Sequence, residues 1–412
     1  MRSTSFVLMV LVLCQLSFAQ TEQIEENNSL FIIPEFIVGI TAEANEGFPD
    51  RNLQTGFLVS FGNYHSNNKQ EWAARLNYPK TGITLGYIDF GNSEKLGQAY
   101  SFLPFVEFRI KKRLNLYVAM GASYMNNLYD VNTNPFNKAI TTSINWSFKS
   151  FAYYDVLHGD KIDWRFGLGY FHHSNGHTRL PNQGLNSFLA SVSANISTDD
   201  EHKLIDKPIY EKSSQTYFSA RADYGINVLS EIFNDKKPVY TVAFSAGKII
   251  NKTFKLGGGI YYRFYQHYYD YIKNDEDLVA EDFPIFKENP FGYASNFGFF
   301  VTAELLLGHI GFEFDLGFNI HKPFYQIDWI LNEGYEFDTA QGEHVVVLGE
   351  LDWYYEIKRT ISSRMGLKYY LINNNKSPQH NLFFGAHING NLGQADFTGS
   401  SLGYVYRLEK KE

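Results

Sequence analysis

Apolar and polar residues alternate with period two along this chain, in runs of about 10 to 13 residues, the length of a strand that crosses a membrane. Leu114, Leu116, Val118, Met120, Ala122 and Tyr124 oppose Arg113, Asn115, Tyr117, Gly121 and Ser123. Phe218, Ala220, Ala222, Tyr224 and Ile226 oppose Ser219, Arg221, Asp223 and Gly225, and Ile310 to Ile320 alternates with Gly311, Glu313, Asp315, Gly317 and Asn319. One face of each strand is therefore apolar and the other polar or charged. In a soluble lectin-like sandwich the charged face looks out to water; in a barrel it lines the lumen and the apolar face meets lipid.

The leader, the strand length of about 10 to 13 residues and the asymmetry of the loops select the barrel, while composition alone fits either fold. Arg2, the apolar run Phe6 to Leu16 and the small-x-small site Ser17-Phe18-Ala19 read as a secretory signal peptide, residues 1–19, with cleavage before Gln20. The leader carries the only cysteine, Cys14, so the exported chain has no disulfide or thiolate metal site. No later segment supplies the roughly 18 apolar residues of a membrane helix, since Phe299 to Phe314 is broken by Glu304, His309 and Glu313. The 36 Phe and 29 Tyr suit both strands and the aromatic girdles of outer-membrane barrels. A formal charge of −8, more negative still once Arg2 is removed, argues against nucleic acid as a partner.

The predicted fold is all-β: a transmembrane antiparallel up-and-down barrel of about 16 strands, with two consecutive eight-stranded barrels as the alternative. Residues 20–197 supply eight strands, 198–213 a polar linker, and 214–412 the second set. The second set counts to nine strands, one too many, and Val345 to Tyr369 is read as a single overlong strand because its apolar residues stay in phase. Tight connections at Lys112, His158 to Asp160, Asn251 and Gly308 alternate with long ones at Asn45 to Asn52, Asn126 to Asn134, Asn227 to Lys237, His267 to Tyr293 and His321 to Glu343. Short turns face the periplasm and long loops the outside of outer-membrane barrels, which places the connection Asn175 to Gly184 outside.

Polar residues interrupt the apolar face of one predicted hairpin. Ile162, Trp164, Phe166, Leu168 and Tyr170 continue in phase to His172 and Ser174, and the returning strand carries Asn186 in phase with Phe188, Ala190, Val192, Ala194 and Ile196. Ester hydrolysis by a nucleophile needs a hydroxyl, a base, and a third group that orients the base. His172 and Ser174, two apart on a strand, point the same way about 6 to 7 Å apart. Asn186 can offer its amide oxygen to the far ring nitrogen. His173 alternates inward, as a lumen hydrogen-bonding residue.

The runs His172-His173-Ser174-Asn175-Gly176 and Pro181-Asn182-Gln183-Gly184-Leu185-Asn186 resemble the His-x-Ser-Asn and Pro-Asn-x-Gly motifs of the outer-membrane lipid A 3-O-deacylases (PagL type), also known as acyloxyacyl hydrolases. The similarity covers about Phe31 to Ile196; the second half, including Ser363 to Tyr370 and Gly393 to Phe397, resembles the longer Bacteroidetes-type members. The resemblance implies an outer-membrane serine esterase without a cofactor, acting on lipid A of lipopolysaccharide in the outer leaflet. It makes Ser174 the nucleophile and His172 the general base, with Asn175, Gly176 and Asn182 orienting the site or stabilising the oxyanion. Compact members carry a glutamate where this chain has Asn186, so the triad would be Ser-His-Asn, which holds the imidazole but lends it no full charge.

His177 and Arg179 are candidates for contacts with lipid A phosphates, and Asp275-Glu276-Asp277 with Glu281 and Asp282 reads as a solvated acidic loop. The sequence offers no phosphate-binding glycine loop or metal cluster. The rival function is a non-catalytic barrel, porin-like or structural.

Overall fold

A computed structural model describes residues 30–159, 161–197, 208–338, 344–347, 349 and 351–408. The leader, most of the linker and the final residues lie outside the described residues. Among the described residues, sixteen strands form barrels, and they close as two rings of eight, the second of the two arrangements the sequence allows. The first ring runs β1 (Leu30–Thr41), β2 (Gln54–Tyr64), β3 (Lys80–Asp89), β4 (Gln98–Lys111), β5 (Leu114–Met125), β6 (Ile144–His158), β7 (Ile162–Ser174) and β8 (Leu185–Ser197). Pairing of β1 with β8 closes it.

The second ring is β9 (Ser214–Asn227), β10 (Lys237–Ile250), β11 (Phe254–Tyr265), β12 (Ser295–Leu307), β13 (Ile310–His321), β16 (Ile361–Tyr370), β17 (His380–Asn391) and β18 (Gln394–Arg407), closed by β18 on β9. A small hairpin of β14 (Tyr335–Asp338) and β15 (His344–Val347) stands apart from both rings.

The interior of each ring explains why eight strands suffice. An eight-stranded barrel has an interior just wide enough to be filled by side chains, and buried charges there need partners. In the first lumen Lys149 Nζ donates to Glu35 Oε2 at 2.6 Å and to the Tyr153 hydroxyl at 2.8 Å, while Arg165 Nη1 reaches both oxygens of Glu107 at 2.8 and 2.9 Å. In the second, Lys368 Nζ bridges Glu304 and Glu313 at 3.0 and 2.5 Å, and Arg364 bridges Glu313 and Asp223 at 3.0 and 2.8 Å. Each network closes within its own half of the chain, so each half folds around its own charges. Paired charges occupy both lumens, and the outer walls differ from them in character.

Those walls are apolar. Phe57, Leu168 and Phe188 on the first ring and Phe244, Val301 and Phe318 on the second are all more than half exposed, the band a barrel presents to hydrocarbon. No helix among the described residues is long and apolar enough to cross a membrane; the strands do so.

One expectation is corrected. Val345 to Tyr369 is not one overlong strand: it holds β15, then α6 (Trp353–Thr360), and only Ile361 onward joins the ring. Asp352 ends the extended run, because its Oδ1 accepts from the backbone N–H of Tyr354 and Tyr355 at 2.9 and 3.0 Å, an N-cap that starts a helix. Along α6 the side chains at 353, 355 and 357 no longer share a face. With that segment removed, the second set has the even number a barrel requires.

The long connections carry short helices. α2 (Gln266–Lys273), α3 (Asp277–Glu281) and α4 (Pro290–Tyr293) lie between β11 and β12, and α5 (Tyr325–Glu333) follows β13. One helix, α1 (Glu71–Arg75), lies at the opposite, short-turn end and ties the rings together there. The Glu71 backbone N–H donates to Asn375 Oδ1 at 3.0 Å and Arg75 Nη2 to the Glu211 carbonyl at 2.8 Å, above an apolar cluster of Trp72, Val106 and Leu307. At the long-loop end the Leu180 backbone N–H donates to Asn234 Oδ1 at 2.9 Å and Asn234 Nδ2 returns a bond to the Leu180 carbonyl at 2.7 Å. The barrels thus stand side by side with their long loops at the same end.

Candidate active site

The hairpin of β7 and β8 sets the geometry by register. His172 pairs directly with Asn186 across β8, and on the other side Phe148 and Trp146 of β6 stand opposite His172 and Ser174. Alternation then aims Tyr170, His172, Ser174 and Asn186 outward together. His172 Nδ1 lies 2.8 Å from Asn186 Oδ1. An amide oxygen only accepts, so the ring proton resides on Nδ1 and Nε2 keeps its lone pair, the tautomer of a general base. The neighbour His173 points inward, with Nδ1 2.8 Å from the Ser147 hydroxyl and its ring edge-on to Phe90.

Two further residues complete the arrangement: Tyr170, which the sequence did not single out, and Gly184, the glycine of the Pro-Asn-x-Gly motif. The Tyr170 hydroxyl donates to the same Asn186 Oδ1 at 2.5 Å, and its ring stacks on the His172 imidazole with 12° between planes. Tyr170 reads as one more aromatic of the apolar face; the available signal was its position two residues before His172, on the same side. The second is Gly184, whose φ is +73°. A Cβ there would lie 2.9 Å from His172 Cε1 and 3.5 Å from Ser174 Cβ. The edge of the imidazole beside Nε2 and the root of the serine side chain therefore flank one point, which only glycine leaves free.

Ser174 is 5 % exposed at the end of β7, and its hydroxyl makes no side-chain hydrogen bond with a described residue. Gly184→Ala should displace the imidazole from the serine. A misplacement of about 1 Å at a reacting centre costs about 10²-fold in rate, so a loss of about that size is expected in any reaction that needs this pair. Measured turnover of the folded variant at the wild-type value would show that the contact is not used.

The loop after Ser174 is pinned through Asn175. Its backbone N–H donates to Asn182 Oδ1 at 2.9 Å, its Nδ2 donates to Thr141 Oγ1 and the Arg179 carbonyl at 3.0 and 2.6 Å, and its Oδ1 accepts from the Thr178 N–H at 3.0 Å. Both amide hydrogens of Asn175 are thus committed to holding the loop after Ser174, and its side chain has no donor to spare. Asn182 lines the cleft beside the site. Gly176, at φ +66°, is buried against the second barrel: its carbonyl accepts from Thr398 Oγ1 at 3.1 Å, and a Cβ would lie 2.0 Å from that same oxygen.

Of the two candidates for phosphate contact, Arg179 is exposed and outside the cleft wall. His177 lies in the loop with its carbonyl accepting from the Val228 N–H at 3.2 Å, and burial holds its imidazole below the ordinary value, against the pull of Asp396. It lines the cleft. In the acidic loop Asp275 is paired with Lys287 at 2.8 Å. Among the described residues no three His, Cys, Asp or Glu side chains converge as a metal site.

Compared with protein families, residues 38–195 match the lipid A 3-O-deacylase (PagL) family. That match spans most of the first barrel. The match takes in Tyr170, His172, Ser174, Gly184 and Asn186, and the second barrel lies outside it. No curated protein matches the chain. Among solved structures the chain is similar to OccAB1 of Acinetobacter baumannii at 10 % identity, over 94 % of this chain and 99 % of that one, with a TM-score of 0.21. It is similar to the translocator domain of the autotransporter NalP from Neisseria meningitidis at 8 % identity, over 98 % of each chain, with a TM-score of 0.16. The outer membrane protein Omp33 of Acinetobacter baumannii gives 9 % identity over 92 % and 99 %, with a TM-score of 0.16. Likenesses this low do not bear on what the chain does; the PagL match does.

Proposed function

We propose that this protein is an outer-membrane serine esterase that removes an ester-linked acyl chain from lipid A through a Ser174, His172, Asn186 arrangement. The observation that carries the reading is the 2.8 Å contact of His172 Nδ1 with Asn186 Oδ1 on the outer wall of the barrel that the PagL match spans, with Ser174 two residues along the same face. Ser174 Oγ attacks the ester carbonyl while its proton passes to His172 Nε2. Collapse of the tetrahedral intermediate breaks the bond to the sugar oxygen, which takes that proton from His172, and leaves an acyl-enzyme. Water, deprotonated by the same imidazole, releases the fatty acid and restores Ser174.

Placement on the wall suits such a substrate, whose tails stay in the bilayer while its ester reaches the barrel by lateral diffusion. Long loops face outside on outer-membrane barrels, which supports a site at the level of the outer leaflet, where lipopolysaccharide resides. Mass spectrometry of lipid A incubated with the purified full chain tests the reading. Loss of one acyl chain is expected; lipid A of unchanged mass beside a folded barrel would overturn it.

A further inference from the structure

The second barrel, which the PagL match leaves out, stands directly across from the site. A cleft of about 1140 Å³ opens between the barrels, and its lining includes Tyr170, His172, Ser174 and Asn186 on one side and Phe314, Met365 and Ile388 on the other. That volume is at or above the top of the roughly 300–1,000 Å³ of ordinary small-molecule pockets. Phe314 and Met365 pair with each other across β13 and β16, and Met365 pairs with Ile388 across β16 and β17, so the three form one continuous apolar strip on the outward face.

The strip is close to the chemistry. A Cβ on Gly176, two residues beyond Ser174, would lie 3.3 Å from Ile388 Cδ1. Trp146, the strand neighbour of Ser174, donates its indole N–H to Thr398 Oγ1 at 3.0 Å. The covering of the first barrel's wall is equally plain: Met120, which lines the cleft, is in phase with the lipid-facing residues of β5, yet it is 6 % exposed, whereas Tyr124 in the same phase is 52 % exposed. The contacts at both ends of the barrel pair, through α1 below and Leu180 with Asn234 above, keep the two walls apart at a set distance.

We propose that the acyl chain to be cleaved binds between the two barrels, with Phe314, Met365 and Ile388 of the second barrel forming the wall that determines chain length. This inference rests on the esterase reading above for the identity of the occupant, a lipid A acyl chain. Its physical basis is that a chain lying against one barrel in open bilayer meets fluid lipid on its other side, whereas here it meets fixed side chains. Fixed walls give one methylene a discriminating effect of about 10- to 200-fold, which fluid lipid does not.

Two measurements on the full chain test it. In the first, Met365→Trp narrows the cleft, and the fatty acids released from lipid A are profiled by mass spectrometry alongside hydrolysis of a short soluble ester. The ratio of long-chain release to short-ester hydrolysis should fall at least about tenfold relative to the wild type, within the range for fixed apolar walls. An unchanged long-chain profile in the folded variant overturns the inference and leaves the esterase reading standing.

In the second, a photo-crosslinking amino acid replaces Met365 in the Ser174→Ala chain, reconstituted in vesicles of phospholipid and lipid A, with the same probe at Val242, an exposed lipid-facing position on β10, as control. Crosslinks at 365 should be enriched in lipid A over those at 242. Equal partition between lipid A and phospholipid at both positions overturns the inference. Enrichment at 365 in a chain whose wild-type form releases no fatty acid would overturn the esterase reading instead, with the cleft retained as a lipid A site.

Discussion

Ser174→Ala is expected to abolish release of fatty acid from lipid A, with a loss of at least about 10⁴-fold, and His172→Ala to do the same. Removing a triad member leaves only the acceleration due to binding and oxyanion stabilisation, and members of one unit are strongly non-additive. The double variant should therefore be no worse than either single one, within about threefold of them. Stability should be unaffected. The Ser174 hydroxyl makes no side-chain hydrogen bond with a described residue, and both side chains project from the outer wall, away from the Glu35, Lys149 and Tyr153 network that fills the lumen. Heat-modifiable migration in gels should stay as in the wild type, which separates lost chemistry from lost folding. Undiminished release from Ser174→Ala would remove the nucleophile from the mechanism.

The outward convergence of His172, Ser174 and Asn186 was legible in the sequence because strand phase is a strict code: a residue in step with Leu168 and Phe166 must share their face. The pairing of His172 with Asn186 needed only the hairpin register to be added. The ring count was not legible in the same way. Sixteen alternating strands are compatible with one ring or two, and the choice is made by which inward charges meet, such as Arg165 with Glu107 or Lys368 with Glu304, contacts between residues 58 and 64 positions apart. The misreading of Val345 to Tyr369 has a local cause, since apolar residues two apart at 353, 355 and 357 satisfy a strand pattern while the Asp352 cap, a single side chain, turns them into a helix. Tyr170 was hidden because a tyrosine is ordinary in a girdle, and its bond to Asn186 depends on a side-chain rotamer. Gly184 stood in a motif, but that its missing Cβ makes room for the imidazole depends on how the turn folds back over β7.

Replacing Asn186 by Leu should cost about 10² to 10⁴ in turnover, because it orphans both the His172 Nδ1–H and the Tyr170 O–H and frees the imidazole to adopt either tautomer. Asn186→Glu should do the reverse and preserve activity or raise it. In serine proteases the change from acid to amide costs about 10⁴, mostly because the amide nitrogen can face the histidine and impose the wrong tautomer. Here the Tyr170 hydroxyl donates to the same oxygen that faces His172, and that bond favours the productive orientation of the amide. A carboxylate needs no such help, since both of its oxygens accept. Tyr170→Phe should therefore lower turnover about tenfold in the native background and have little effect in the Asn186→Glu background, a coupling of about 1.4 kcal/mol between two touching residues. A double-mutant cycle on kcat, measured with lipid A in mixed micelles, reads that coupling directly. Additive effects would mean that Tyr170 contributes packing alone, and a large loss in folded Asn186→Glu would mean that the site is built around the amide and has no place for a carboxylate.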